Sequence, residues 1–218
     1  MPGKLTYFGI AVRAEPIRML LSLTNTEFED HRIQMSEWGP MKAAGFSEFG
    51  GLPVWEEDGR KVGQTNAILF MLGRRLNRHS SDEVVAANID QLCMFIEDVI
   101  EKYGKYILPK AIMGGELGDE EMFLEGYWTA VLRIIEARLA ASGKPFVAGS
   151  DDWTVADLKV FAQYSTTFPD CNSGTIIPEE VQAKVQAKID AHPLYKAWVG
   201  RMKELTAAYI ASRPVAPF

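Results

Sequence analysis

"GLPVWEEDGRKVGQTNAILFMLGRR" runs from Gly51 to Arg75 and carries enough signals to set a fold class. Leu52-Pro53-Val54-Trp55-Glu56 has the content of a strand, Asp58-Gly59 is a hairpin turn signal, and Lys61-Val62 reads as the returning strand. After Gln64-Thr65-Asn66 the period changes. Ile68, Leu69 and Leu72 fall at helical spacing, and Arg74 and Arg75 stand near the C-terminal end, where cations suit the helix dipole. The stretch therefore predicts an α/β unit with mixed strand directions.

Upstream, Leu5-Thr6-Tyr7-Phe8 reads as a strand stopped by Gly9. A loop holding Arg13 follows, then a helix that begins beside Glu15-Pro16 and buries Ile17, Leu20 and Leu21. Such strand–loop–helix junctions are where α/β proteins place ligands, and they are also ordinary connections. A second strand is expected over Phe28–Ile33, and an irregular stretch carrying Trp38 and Lys42 from Gln34 to Gly51. Downstream, the polar run Arg78-His79-Ser80-Ser81-Asp82 reads as a linker. Beyond it the pattern is helical. Val85, Ile89, Leu92, Ile96, Val99 and Tyr103 form one apolar stripe, with Ser80 and Glu83 spaced as a capping box. Gly114-Gly115 and Gly118 break the chain before a long helix over about Glu120–Ala141. In "SDDWTVADLKVF", Thr154 and Asp157 form a second capping box, and Trp153 is placed to staple onto Leu158. Helices are expected over Pro178–Ala191 and through Trp198 and Leu205, with an extended tail from Arg213 to Phe218. Residues 1–77 thus form an α/β domain and 83–218 an all-helical one.

At 218 residues, with 47% hydrophobic and 24% charged residues, the chain has the material of a globular core. A net charge of −6 argues against a nucleic-acid groove or an anionic-membrane patch, since both need clustered Lys and Arg. The start moves directly into a strand without an apolar signal core, and no apolar run is long enough to span a bilayer. Two cysteines, Cys93 and Cys171, give neither a disulfide framework nor a CxxC motif, and the three histidines have no metal-ligand spacing. A reduced, cytoplasmic, metal-free protein is the expectation.

In these features the chain resembles the cytosolic glutathione S-transferases, which join a thioredoxin-like α/β domain to an all-helical one. Tyr7, in the first strand, matches the catalytic tyrosine of the Tyr-type classes (sigma, pi and mu among them), and "RAEPIR" matches the arginine that precedes the first helix. Trp38 and Lys42 match glutathione-contacting residues, and Leu52-Pro53 the dipeptide whose proline is cis. Gln64-Thr65 resembles a Gln-Ser pair, and Glu97-Asp98 an acidic pair on the first helix of the second domain. Ala11 and Val12 replace an arginine and a glycine common in relatives, Gly51 a common glutamine, and Thr65 a serine, which keeps the hydroxyl.

The resemblance implies glutathione as co-substrate, with no metal. Gly51, Leu52 and Pro53 would pair with its cysteinyl portion, Gln64 and Thr65 would receive its γ-glutamyl carboxylate, and Asp98 would reach its ammonium across a dimer interface. The first N–H groups of the helix after Gln64 lack internal partners and suit an anion. Thr65 or Asn66 reads equally as an ordinary N-cap. Tyr7 would donate to the sulfur: a phenol stays protonated at neutral pH, whereas a free thiol, titrating near 8.5, is only a few per cent ionised. Arg13 would add a guanidinium or hold the loop. Phe8, Ile10, Val12, Tyr103 and Ile107 would line a pocket for a small hydrophobic electrophile, or equally belong to the core. Conjugation of glutathione to electrophiles, a detoxifying reaction, is the leading function. A glutathione-dependent isomerase resembling prostaglandin D synthase, or a non-catalytic ligand-binding or crystallin-like protein, is the alternative. A homodimer is expected, with Phe49 in "SEFGGLP" as its key, or folded back under its own loop.

Overall fold

A computed structural model describes residues 2–215. Four strands, β1 (Gly3–Phe8), β2 (Phe28–Ile33), β3 (Val54–Glu57) and β4 (Arg60–Gly63), make one sheet in the order β2-β1-β3-β4. β1 and β2 are parallel, linked by helix α1 (Glu15–Leu23), and the other pairings are antiparallel. Glu15 through Leu21 are all buried, because α1 is enclosed by the sheet and by helices of the second half of the chain. The β1–β3 ladder ends at Thr6 opposite Val54, so Leu52 contributes no rung to it. The Leu52–Pro53 bond is cis, as the resemblance implies.

The stretch from Gln34 to Gly51 is not irregular throughout: Met35–Ala43 is a helix, α2. It buries no residue, so no apolar stripe announces it. Its start is fixed by a capping box, in which the Glu37 carboxylate accepts from the Gln34 N–H at 2.6 Å. Trp38 and Lys42 thus sit four residues apart on one helical face rather than in a loop.

Helix α3 (Thr65–Arg75) completes the α/β half. Neither Thr65 nor Asn66 is its N-cap. That place is taken by Gln64, whose φ of 70° lies in the left-handed region that side chains other than glycine rarely adopt.

Helix α4 (Glu83–Met113) follows the connection at Arg78–Asp82. Its cap is Asp82, not Ser80: the Asp82 carboxylate accepts from the N–H groups of Val84 at 3.0 Å and Val85 at 2.9 Å. The expected helix after Gly118 begins as a π-helical segment, Met122–Thr129, and continues as α5 (Ala130–Ser142). The wide turns seat Phe123 and Tyr127 against Tyr103 and Tyr106 of α4, with Tyr106 and Phe123 stacked at 4.3 Å and Trp128 edge-on to Tyr127. Helices α6 (Val155–Thr167), α7 (Glu179–Asp190) and α8 (Pro193–Ser212) complete the bundle. Residues 216–218 of the expected extended tail lie outside the described residues.

The capping box of α6 is present and larger than its sequence suggests. Asp157, fully buried, accepts from the N–H groups of Thr154 and Val147, the Thr154 hydroxyl and the Trp198 indole, all within 3.0 Å. At the far end, Arg213 is also buried. It pairs with Glu15 of α1 and donates to the carbonyls of Ser165 at 2.7 Å and Cys171 at 2.5 Å.

Candidate active site

Tyr7 is the penultimate residue of β1, and its side chain is 5% exposed. It faces a cleft of about 500 Å³ between the two halves, walled by Ile10, Val12 and Arg13 from the β1–α1 loop and by Ile107 from α4. These are the expected pocket residues that the structure brings together. Tyr103 is not among them. It is wholly buried in the aromatic cluster, its hydroxyl 3.1 Å from that of Thr166, because it lies on the core-facing side of α4. Phe8 does not line the cleft either. It packs between Tyr7, at 5.5 Å, and Trp38, edge-on at 6.5 Å.

The rest of the wall comes from α4, from Ile100, Gly104, Leu108 and Met113 together with Glu101, Lys105 and Pro109, which sequence reasoning missed. The i, i+4, i+8 spacing of residues 100, 104 and 108 was the available signal. It lay beside the stronger core stripe of the same helix.

The loop is held from below. Arg18, 1% exposed, donates to the carbonyls of Phe8 at 3.2 Å and Ile10 at 2.7 Å, and to the Asp30 carboxylate at 3.1 Å. Within the loop Val12 has a φ of 37°, unfavourable for a β-branched residue. Strain of this kind persists only where surrounding contacts impose it.

Burial raises the Tyr7 phenol above its ordinary value of 10.0, outweighing the Arg13 backbone N–H aimed at it and the charges of Arg13 and Arg18. At neutral pH it is therefore a protonated donor. Arg13 itself is turned to Glu97 on α4, with which it forms an ion pair. The other oxygen of Glu97 accepts from Lys159 of α6 at 2.5 Å. Burial alone would raise the Glu97 carboxyl, but Lys159 and Arg13 together hold it below 4.5.

The remaining expected residues ring the sheet end of the cleft. Trp38 is half-buried against Phe8, and Lys42, exposed, runs across Gly50, where a Cβ would come within 3.2 Å of its stem. Gly50 escapes that crowding, and its φ of 62° suits glycine. Gly51 is exposed and its carbonyl accepts from Ser47 at 2.7 Å; Leu52 is half-buried and Pro53 buried. At the start of α3 the Thr65 hydroxyl is buried yet has no partner among the described residues. The Asn66 amide N–H reaches across to the Cys93 carbonyl of α4 at 3.2 Å, while its oxygen is unpartnered. Asp98 is exposed on α4 next to Glu97. Phe49 is 62% exposed, so it is not folded under its loop; one ring edge rests over Gly63. Among the described residues, no three His, Cys, Asp or Glu side chains gather where they could hold a metal ion, and no helix is long and apolar enough to cross a membrane.

Residues 3–74 match the family model of the glutathione S-transferase N-terminal domain. A probable glutathione S-transferase of Caenorhabditis elegans, gst-36, is 31% identical over 122 residues, which span 56% of this chain and 57% of that protein. Glutathione S-transferase 1 of Ascaris suum is 27% identical over 99% of this chain and 98% of its own. The crystal structure of monomeric Na-GST-3, a glutathione S-transferase of the hookworm Necator americanus, matches with a TM-score of 0.81 at 25% identity, covering 100% of both chains. Residues 3–74 thus carry a glutathione S-transferase N-terminal domain, and with a thioredoxin-like sheet followed by a helical bundle the chain is similar from end to end to glutathione S-transferases.

Proposed function

We propose that the protein is a glutathione transferase that uses the Tyr7 hydroxyl to hold the glutathione sulfur as a thiolate. The observation that carries this reading is the Tyr7 phenol itself, kept protonated by burial and facing an apolar cleft between the two halves. An O–H donor aimed at a thiol stabilises its anion, and each tenfold gain in ionisation needs about 1.4 kcal/mol, within reach of one charge-assisted bond. The Arg13 charge adds to that stabilisation.

Glutathione would lie along the sheet end of the cleft. The free backbone of Leu52, beyond the last rung of the ladder, takes its cysteinyl portion, with Gly51 and Pro53 shaping the approach. The first turn of α3 and the unpartnered Thr65 hydroxyl receive the γ-glutamyl carboxylate. Trp38 and Lys42, on one face of α2, serve the glycyl carboxylate. Residues 1–77 act as the glutathione domain, and 83–218 supply the α4 wall of the electrophile pocket. Asp98, exposed, is available to a neighbouring subunit's ligand in a homodimer. The thiolate attacks an apolar electrophile in the cleft: with an activated aryl chloride, the S–C bond forms and chloride leaves with the bonding pair.

Replacing Tyr7 with phenylalanine tests this with glutathione and a dinitro-substituted aryl chloride. Glutathione affinity should stay within about twofold, while kcat/KM at neutral pH falls by about one to two orders of magnitude. The midpoint of the acid limb of the pH profile should rise. A variant with the wild-type rate and the wild-type pH profile would make Tyr7 a structural strand residue.

A further inference from the structure

We propose that Lys159 is a positioning residue for the conjugation site, acting through Glu97 to hold Arg13 against Tyr7. It rests on the reading of Tyr7 as the thiolate donor.

Lys159 lies on α6, on the far side of α4 from solvent, and is 1% exposed. A buried ammonium is costly unless paired, and a fold that needed only packing here would be served by leucine or methionine. Its sole hydrogen bond among the described residues goes to Glu97 Oε1 at 2.5 Å, while Glu97 Oε2 takes the Arg13 guanidinium. The carboxylate is thus divided, one oxygen for each cation. With Oε1 occupied it cannot rotate to take the Arg13 fork with both oxygens, so the guanidinium is held at one corner. Arg13 in turn lines the same cleft as Tyr7, and its positive charge favours the ionised form of groups there.

The charges have a direct consequence. Two cations sharing one carboxylate leave a net charge of about +1 beside the cleft, and Lys159 supplies it. The other ionisable groups in the surroundings are Arg18 of α1, facing Tyr7; Glu101 and Lys105 of α4, which line the cleft and pair with each other at 2.8 Å; and Cys93, Asp90 and Asp157, which lie near the Lys159–Glu97 pair. Arg18 is engaged by Asp30 and Glu15, Asp90 by His79, and Asp157 by the α6 cap. None of them replaces the lost charge if Lys159 is removed.

The experiment compares Lys159→Met, Lys159→Arg and the unchanged protein in three measurements: thermal melting, glutathione binding, and the pH profile of kcat/KM with the aryl chloride. Losing the charge that Glu97 shares with Arg13 should raise the midpoint of the acid limb by roughly one pH unit in Lys159→Met, with glutathione affinity nearly unchanged. Lys159→Arg should restore the original midpoint. Lys159→Gln serves the same comparison if the methionine variant does not fold. A Lys159→Met or Lys159→Gln protein that melts lower but keeps the wild-type acid limb would make the lysine a structural tie between α4 and α6, and overturn the proposal. So would a Lys159→Arg protein whose limb shifts as far as the neutral variant's. Failure of the unchanged protein to conjugate the aryl chloride, or any of a panel of other electrophiles, would instead count against the transferase reading itself.

Discussion

Thr154 and Thr65 both stand, buried, at the start of a helix, and only one of them has its hydroxyl engaged. At α6 the Thr154 hydroxyl donates to Asp157, which also receives the backbone of Val147 and the indole of Trp198. Every group there is answered from within the chain. At α3 the cap position is held by Gln64 with a strained φ of 70°, no side chain caps the helix, and the Thr65 hydroxyl faces nothing among the described residues. A buried hydroxyl without a partner costs about 1–3 kcal/mol, a burden a fold keeps only for a reason. The first helix start is architecture. The second leaves a hydroxyl free for the glutathione carboxylate that we propose binds there, which the sequence "QTN" by itself does not distinguish from an ordinary cap.

Four changes would break or sharpen that contrast. Asp157→Ala should have the largest effect, because it strands the donors of Val147, Thr154 and Trp198 in the core. We expect a loss of about 3–5 kcal/mol in denaturant unfolding, several times the roughly 1 kcal/mol of one arm of a simple cap. The fraction that remains folded should bind glutathione normally. Unchanged stability would show that the α6 knot is not what holds the bundle.

Glu97→Gln tests a group that is answered internally yet sits beside the cleft. Its carboxyl is held below its ordinary value in the folded protein, so the ionised form stabilises the fold above the unfolded value, near 4.3. That contribution is lost as pH falls through the lower folded value. The variant should be about 2–3 kcal/mol less stable at pH 7, where Lys159 is left buried without its partner. Its melting temperature should converge with that of the unchanged protein as both are acidified through that lower folded value. A constant gap at all pH values would contradict the assignment.

Thr65→Val should act in the opposite sense to Asp157→Ala. Removing a hydroxyl that nothing answers should leave melting unchanged or slightly raised, while calorimetry shows glutathione binding weakened by about tenfold, the worth of one hydrogen bond to a carboxylate. A lower melting point with intact affinity would place the hydroxyl in the fold after all. Phe49→Ala is the apolar counterpart and should affect folding least, since the ring is 62% exposed. If burial against a second subunit supplies the roughly 2–3 kcal/mol that this ring can gain, sedimentation at micromolar concentration should show a shift toward monomer and a loss of activity. An undisturbed dimer would remove Phe49 from the interface. A monomeric unchanged protein, as in the Necator relative, would remove the interface itself.

The strand–hairpin–helix of residues 51–75 and the strand–helix–strand before it were legible because alternation, turn residues and helical spacing each spoke for themselves. Helix α2 was not, since it buries nothing and carries Gly39 and Pro40 inside it. Its Gln34–Glu37 spacing was the one local clue. The α4 wall of the cleft was hidden for the opposite reason: the helix is apolar on two sides, and its core side drew Tyr103 into the pocket by mistake. What sequence could not supply was which charges meet. Arg13, Glu97 and Lys159 come from three elements far apart along the chain, and only packing puts them in one row.

The buried Arg213 gives the order of events during synthesis a consequence. Glu15 enters the core of the α/β half with its main cationic partner 198 residues downstream. At about 5–20 residues per second, that half waits roughly 10–40 s on the ribosome before Glu15 can meet Arg213. During that interval Glu15 has only the looser partner Arg18, 3.8 Å away on the same helix, so α1 lacks the tie that seats it against the C-terminal segment. A chain stopped short of residue 213 would carry the same defect permanently, at the opposite end of the sequence from the cut.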